Sequence, residues 1–126
     1  MIVGIGIDIV SIQRILDIYQ RHADRFVRRI LTDSEKEYVL RHKDPGQRLA
    51  GRWAAKEAAL KALGTGLSNG IRWRDVEILP DRTGKPYVAF HGRAHEHAAG
   101  LGATVFHVTI THSDEWALAQ VILEKV

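Results

Sequence analysis

The chain opens on an apolar run interrupted by two glycines. Ile2, Val3, Ile5, Ile7, Ile9 and Val10 surround Gly4 and Gly6, a pattern that predicts a buried strand over residues 2–10. Gly4 and Gly6 share one face at period two, so another backbone or a ligand can come close there. Asp8 continues that face. An acid in this place either caps the following turn or has a chemical task. Ser11 then caps a helix over 12–21, with Ile12, Ile15, Leu16 and Tyr19 inward and Arg14 and Arg21 outward. A second helical piece runs from Asp24 to Leu31.

Thr32-Asp-Ser-Glu35 has the form of a capping box and predicts a helix to about His42. Asp44-Pro45 starts a long helix, aspartate as cap and proline in the first turn. Gly64, Gly66 and Gly70 end it and open a flexible loop. That loop is no P-loop, because its glycines follow a helix and no Lys-Ser/Thr pair closes it. Val76–Leu79 and Pro86–Phe90 read as a hairpin, Gly92–Gly100 as a short helix, and Val105–Ile110 and Ala117–Leu123 as late strands. Thr111-His-Ser-Asp-Glu115 between them reads as a polar turn. The sum is an α+β fold, one long central helix packed on a mostly antiparallel sheet, in a single compact domain over residues 1–126.

The long helix carries charge in two places. At about 100° per residue, Arg48, Arg52 and Lys56 form one stripe. Glu57 and Lys61 form a second, between a bulky side (Leu49, Trp53, Leu60) and an alanine side (Ala50, Ala54, Ala58). An ordinary surface helix has one polar face. A charge at the edge of packed surface needs compensation. Asp8, joined to Glu57 through a divalent ion, supplies it. Magnesium suits such a pair because it takes few protein oxygens and completes its shell with water and phosphate. Lys61 would then neutralise a phosphate oxygen, and the three residues fit phosphoryl transfer. The plain alternative is an ordinary helix salt bridge between Glu57 and Lys61. His91, His95 and His97 lie close together, but His91 precedes the helix and no third ligand is evident.

Composition narrows the choice. At 126 residues, 45% hydrophobic and 26% charged, the chain reads as one ordinary globular domain. The absence of cysteine excludes disulfides, thiolate metal sites and a cysteine nucleophile. No apolar run approaches the roughly 20 residues that span a bilayer. The first residues lack a basic segment and meet Asp8 early, unlike a signal peptide. A cytoplasmic location and no membrane partner are expected. The net charge of +3 favours a negatively charged partner. Arg14, Arg21, Arg25, Arg28 and Arg29 make the first helices basic, either as a solvated face or as a dock for an acidic protein. A basic, non-catalytic nucleic-acid-binding domain is the second reading. No aromatic residues are interleaved with the arginines for base stacking.

Gly4-Ile-Gly-Ile-Asp8, followed some 50 residues later by Trp53-Ala-Ala-Lys-Glu-Ala-Ala-Leu-Lys61, resembles the two-part signature of the 4′-phosphopantetheinyl transferases. Leu31-Thr-Asp-Ser-Glu35, Gly64-Thr-Gly66, Gly84-Lys-Pro86 and Thr109-Ile-Thr-His-Ser113 extend the resemblance over nearly the whole chain, to the short bacterial branch that serves acyl carrier protein. The resemblance implies transfer of the phosphopantetheine arm of coenzyme A to a serine of apo-acyl carrier protein, releasing adenosine 3′,5′-bisphosphate. It implies Mg2+ on Asp8 and Glu57, with Glu57 or a water on the metal as base, and Lys61 against the phosphate charge. Arg52, Lys56 and His112 become candidates for the coenzyme's phosphates. Gly84, Lys85 and Pro86 become a candidate adenine wall, and Arg14, Arg21, Arg25 and Arg28 the dock for the acidic carrier. It further implies a homotrimer with sites between subunits, and no nucleic-acid partner.

Overall fold

A computed structural model describes every residue from Met1 to Val126. Strand β1 (Ile2–Ser11) leads into helix α1 (Ile12–Ile30), α2 (Asp33–Leu40) and the long α3 (Pro45–Leu63). A 3₁₀ turn at Trp73–Asp75, which no sequence pattern announced, precedes the hairpin β2 (Val76–Pro80) and β3 (Pro86–Phe90). Helix α4 (Gly92–Gly100) and strands β4 (Val105–His112) and β5 (Trp116–Glu124) complete the chain. The strands form two sheets, an antiparallel β1-β5-β4 and the separate β2-β3 hairpin.

The local signals act as expected. Ser11 and Thr32 cap their helices, and Thr32 with Glu35 closes a full capping box. Asp44 caps α3 with proline in its first turn, and Gly64 ends it in the left-handed region at φ 79°. The two helical pieces expected over 12–31 are one helix bent at His22, where φ is −134°. His112 is not in a turn: it is the last residue of β4, opposite Ala117, and the turn shrinks to 113–115.

Helix α3 is the centre of the core, with Leu49, Ala50, Ala54, Ala58 and Leu60 almost wholly buried. Its alanine side lies directly on the glycine face of β1. A Cβ on Gly4 would stand 2.2 Å from the carbonyl oxygen of Ala62, and one on Gly6 only 1.9 Å from that of Ala58. The two glycines therefore serve backbone-to-backbone approach. They also set direction: β1 runs antiparallel to α3, so Asp8, next on that face, reaches the level of Glu57. Gly6→Ala is expected to destabilise the fold by about 3 kcal/mol, because the obstacle is helix backbone and cannot rotate away. A fall in urea midpoint at constant slope measures it.

The reading of β1 as a buried strand needs correction on one face. That face carries Ile5, Ile7 and Ile9, which remain 54–59% exposed. Opposite them on β5 stand Ile122, Gln120 and Leu118. The apolar run arose because one face meets α3 through glycines and the other is an uncovered sheet surface.

Candidate active site

Asp8, Glu57 and Lys61 come together at the edge of the β1–α3 contact. The Lys61 ammonium donates to Asp8 Oδ1 at 3.2 Å and to the Ile7 carbonyl at 3.0 Å. The Asp8 side chain is 16% exposed and that of Lys61 53%. Glu57 is half-buried. Its carboxyl is raised above the ordinary carboxylate range, chiefly by burial and then by the negative charge of Asp8. Lys61 and Arg14 partly offset that rise. Arg14, from the exposed arginine face of α1, thus adjoins this cluster. Asp8 and Glu57 are close enough for their charges to interact.

A second feature lies elsewhere on the chain. A cavity of about 150 Å³ is lined by Tyr38, Gln47, Arg48, Arg52, Gly84, Pro86, Ile110 and His112. Four of the residues expected at the coenzyme, Arg52, Gly84, Pro86 and His112, meet here. Arg52 is only 5% exposed, and its Nε has no hydrogen-bond partner. Its guanidinium lies 4.6 Å from the Tyr38 ring centroid, with those of Arg48 and Arg41 at 5.9 and 5.8 Å. None of the three arginines has a carboxylate partner. Burial pulls Arg52 below the usual arginine value, against the pull of Tyr38 and Glu35. Clustered guanidinia, one with an unmet buried donor, form a site for an anion with several oxygens. Tyr38, Arg41 and Arg48 escaped notice as site residues, although Arg48 shares the helical stripe of Arg52.

Lys56 does not join them. The sequence placed it on the basic stripe, yet its side chain is fully buried and paired with Glu35 at 2.7 Å. Its remaining donors go to the carbonyls of Trp73, at 3.1 Å, and Val76. All three N–H bonds are spent, so Lys56 is a strut and not a ligand for phosphate. Glu35 is equally committed: it accepts from Thr32 N at 2.8 Å and from Ile78 N at 2.8 Å. Lys85 is not among the residues that line the cavity, although Gly84 and Pro86 on either side of it are. His91 stands at the N-cap position of α4 without a side-chain capping bond, and its ring pairs with Glu77 at 3.2 Å.

No residue of the acid cluster lines the arginine cavity.

The model of the 4′-phosphopantetheinyl transferase superfamily matches residues 4–121. The holo-[acyl-carrier-protein] synthase of Koribacter versatilis is 45% identical over 98% of this chain and 99% of its own length. That of Alkalilimnicola ehrlichii is 47% identical over 99% of this chain and 98% of its own length. Among solved structures, the holo-[acyl-carrier-protein] synthase of Neisseria meningitidis superposes with a TM-score of 0.90 at 36% identity, covering 99% of this chain and 100% of that one. The Helicobacter pylori synthase, solved in complex with coenzyme A, gives 0.84 at 31% identity, covering 95% and 99%.

Proposed function

The chain belongs to the 4′-phosphopantetheinyl transferase superfamily, and from that premise we propose that it moves the 4′-phosphopantetheine arm of coenzyme A onto a serine hydroxyl of apo-acyl carrier protein. The observation that supports the reading is the 3.2 Å contact of Lys61 with Asp8, which sets the acid of β1 against the part of α3 that carries Glu57. Two neighbouring carboxylates are a donor set that fits magnesium. Bound there, the ion would neutralise and orient the pyrophosphate of the coenzyme.

The chain's own residues do the rest. Glu57 takes the proton of the serine hydroxyl. The serine oxygen forms its bond to the phosphorus that carries the pantetheine arm. The bond from that phosphorus to the bridging oxygen breaks, and adenosine 3′,5′-bisphosphate leaves. Lys61 stands within reach to offset the developing charge. Arg52, with its unmet Nε, and Arg48 receive phosphate oxygens, while Gly84 and Pro86 flank the base. Arg14, Arg21, Arg25 and Arg28 are all exposed on α1 and form the dock for the acidic carrier, with Arg14 bridging to the reacting centre.

The enzyme would act as a cytoplasmic homotrimer. Two observations support packing against another copy: the uncovered isoleucine face of β1, and the absence of the acid cluster from the lining of the arginine cavity in one chain. A neighbouring copy would cover the face and complete the cavity. Light scattering should give a mass three times that of the chain, and Ile7→Asp should lower it to the monomer with loss of activity. A wild-type monomer that is fully active would remove this part.

Incubation with coenzyme A, magnesium and apo-carrier should add a mass of about 340 Da to the carrier, the chemical mass of the transferred arm. An unmodified carrier under those conditions would overturn the assignment.

A further inference from the structure

The wall of the arginine cavity made by Gly84 and Pro86 depends on one exposed oxygen. Strands β2 and β3 end on the pair Pro80↔Pro86. Neither proline has an N–H, so neither can donate to a closing rung there. Beyond it, Asp81 N donates to the Lys85 carbonyl at 2.8 Å and Gly84 N to the Asp81 carbonyl at 3.1 Å. The amides of Thr83 and Lys85 turn to a side chain instead. Both donate to Asp81 Oδ1, at 2.8 and 3.1 Å, and the Thr83 hydroxyl donates to the same atom at 2.6 Å. The Thr83 hydroxyl first, then the backbone amides, hold the Asp81 carboxyl below its usual range. Gly84, at φ 90°, completes the reversal, with open space where a Cβ would stand. Conformation alone, not crowding, selects glycine there.

We infer that Asp81 is a positioning residue for coenzyme binding: its Oδ1 fixes the Gly84–Pro86 segment across from Arg52 and His112, without touching the coenzyme. The turn is exposed and adds little to the core. The gain lies in order before binding, which spares the cost of arranging a mobile wall around the ligand. The proposal rests on the coenzyme reading above and assigns Asp81 a task within it.

Asp81→Ala is expected to raise the KM for coenzyme A about fivefold or more, with kcat and the KM for apo-carrier unchanged. Asp81→Asn keeps the Oδ1 acceptor and should restore the coenzyme KM to within about twofold of wild type. Thr83→Val removes one of the three bonds and should fall between the two. An unchanged coenzyme KM in the alanine variant overturns the proposal. So does an equal rise in both KM values, or an asparagine variant as poor as alanine. Calorimetric titration with coenzyme A alone separates this from the transferase reading. A wild-type protein that binds the coenzyme yet modifies no carrier ends that reading, and the loss of affinity in Asp81→Ala still decides this one. If the alanine variant does not fold, the asparagine and valine variants carry the test in the same titration.

Discussion

Glu57→Gln is expected to slow carrier modification about a thousandfold, the scale of losing a general base, while the metal-free protein becomes more stable. The two effects have one origin. Burial and the Asp8 charge both disfavour ionised Glu57, so its carboxyl in the folded chain titrates above the ordinary 4.5. The folded state therefore holds a proton that the unfolded state has released. It follows that stability is greatest below the unfolded value and is lost as pH rises through the raised folded value. Glutamine, near in shape and without charge, is exempt from that loss. Activity needs the same carboxylate ionised, and a divalent ion on it favours that form, so activity should persist to lower pH as magnesium is raised. Melting curves across this window, with and without magnesium, check the account. Magnesium should raise the melting temperature of the wild type and leave Glu57→Gln unmoved. A variant destabilised at neutral pH, or still stabilised by the ion, would contradict the two-acid site. Asp8→Ala should match the loss of activity and also relieve Glu57, bringing its titration down.

The second large effect falls on stability. Glu35→Gln leaves the Lys56 ammonium fully buried without its counter-charge and should cost about 3–5 kcal/mol. Against the roughly 5–15 kcal/mol of a whole domain, that brings the chain close to unfolding. Lys56→Met should do comparable harm, since Glu35 keeps its two backbone donors but loses its cation. The double variant removes both charges together and should be more stable than the sum of the single losses implies. Urea titrations of the four proteins give the coupling directly. Strictly additive losses would mean that the pair does not act as a unit. Lys56 ties α3 to the first residue of the 3₁₀ turn and to the start of β2, while Glu35 ties α2 to β2. Adjacent Glu57 is therefore aimed by a strut one residue away.

The legible features were those whose cause is local. Ser11, Thr32 and Asp44 announced helix starts because a cap needs only its own side chain and the next few amides. Gly64 announced an end because a left-handed residue favours glycine. The bend at His22 showed as a gap between two helical patterns. Asp8 and Glu57 were marked by misfit, each an acid where packing asks for an apolar residue. Less legible was whatever depended on the far side of a contact. Lys56 and Arg52 sit four apart on one helix and look alike in sequence. Glu35, 21 residues before Lys56, separates their fates. The isoleucines of β1 promised burial, but their alternation with glycine and Asp8 does not say which face finds a cover within one chain. The 3₁₀ turn at Trp73 had no periodicity to reveal it, and Trp73 is fixed by stacking on Trp53 at 4.7 Å.

By itself the sequence determined the order of elements, the places where most helices begin and end, and the family signature, because those follow from short-range chemistry and residue type. Only the tertiary structure decided that the glycine face of β1 touches helix backbone, that Lys56 is buried while Arg52 keeps an unmet donor, and that no residue of the acid cluster lines the arginine cavity in a single chain. The reason is that the worth of a charge depends on what surrounds it. A lysine among carbonyls and a carboxylate is a brace, and an arginine with a free N–H still has a bond to give; only the packing of distant segments makes one or the other.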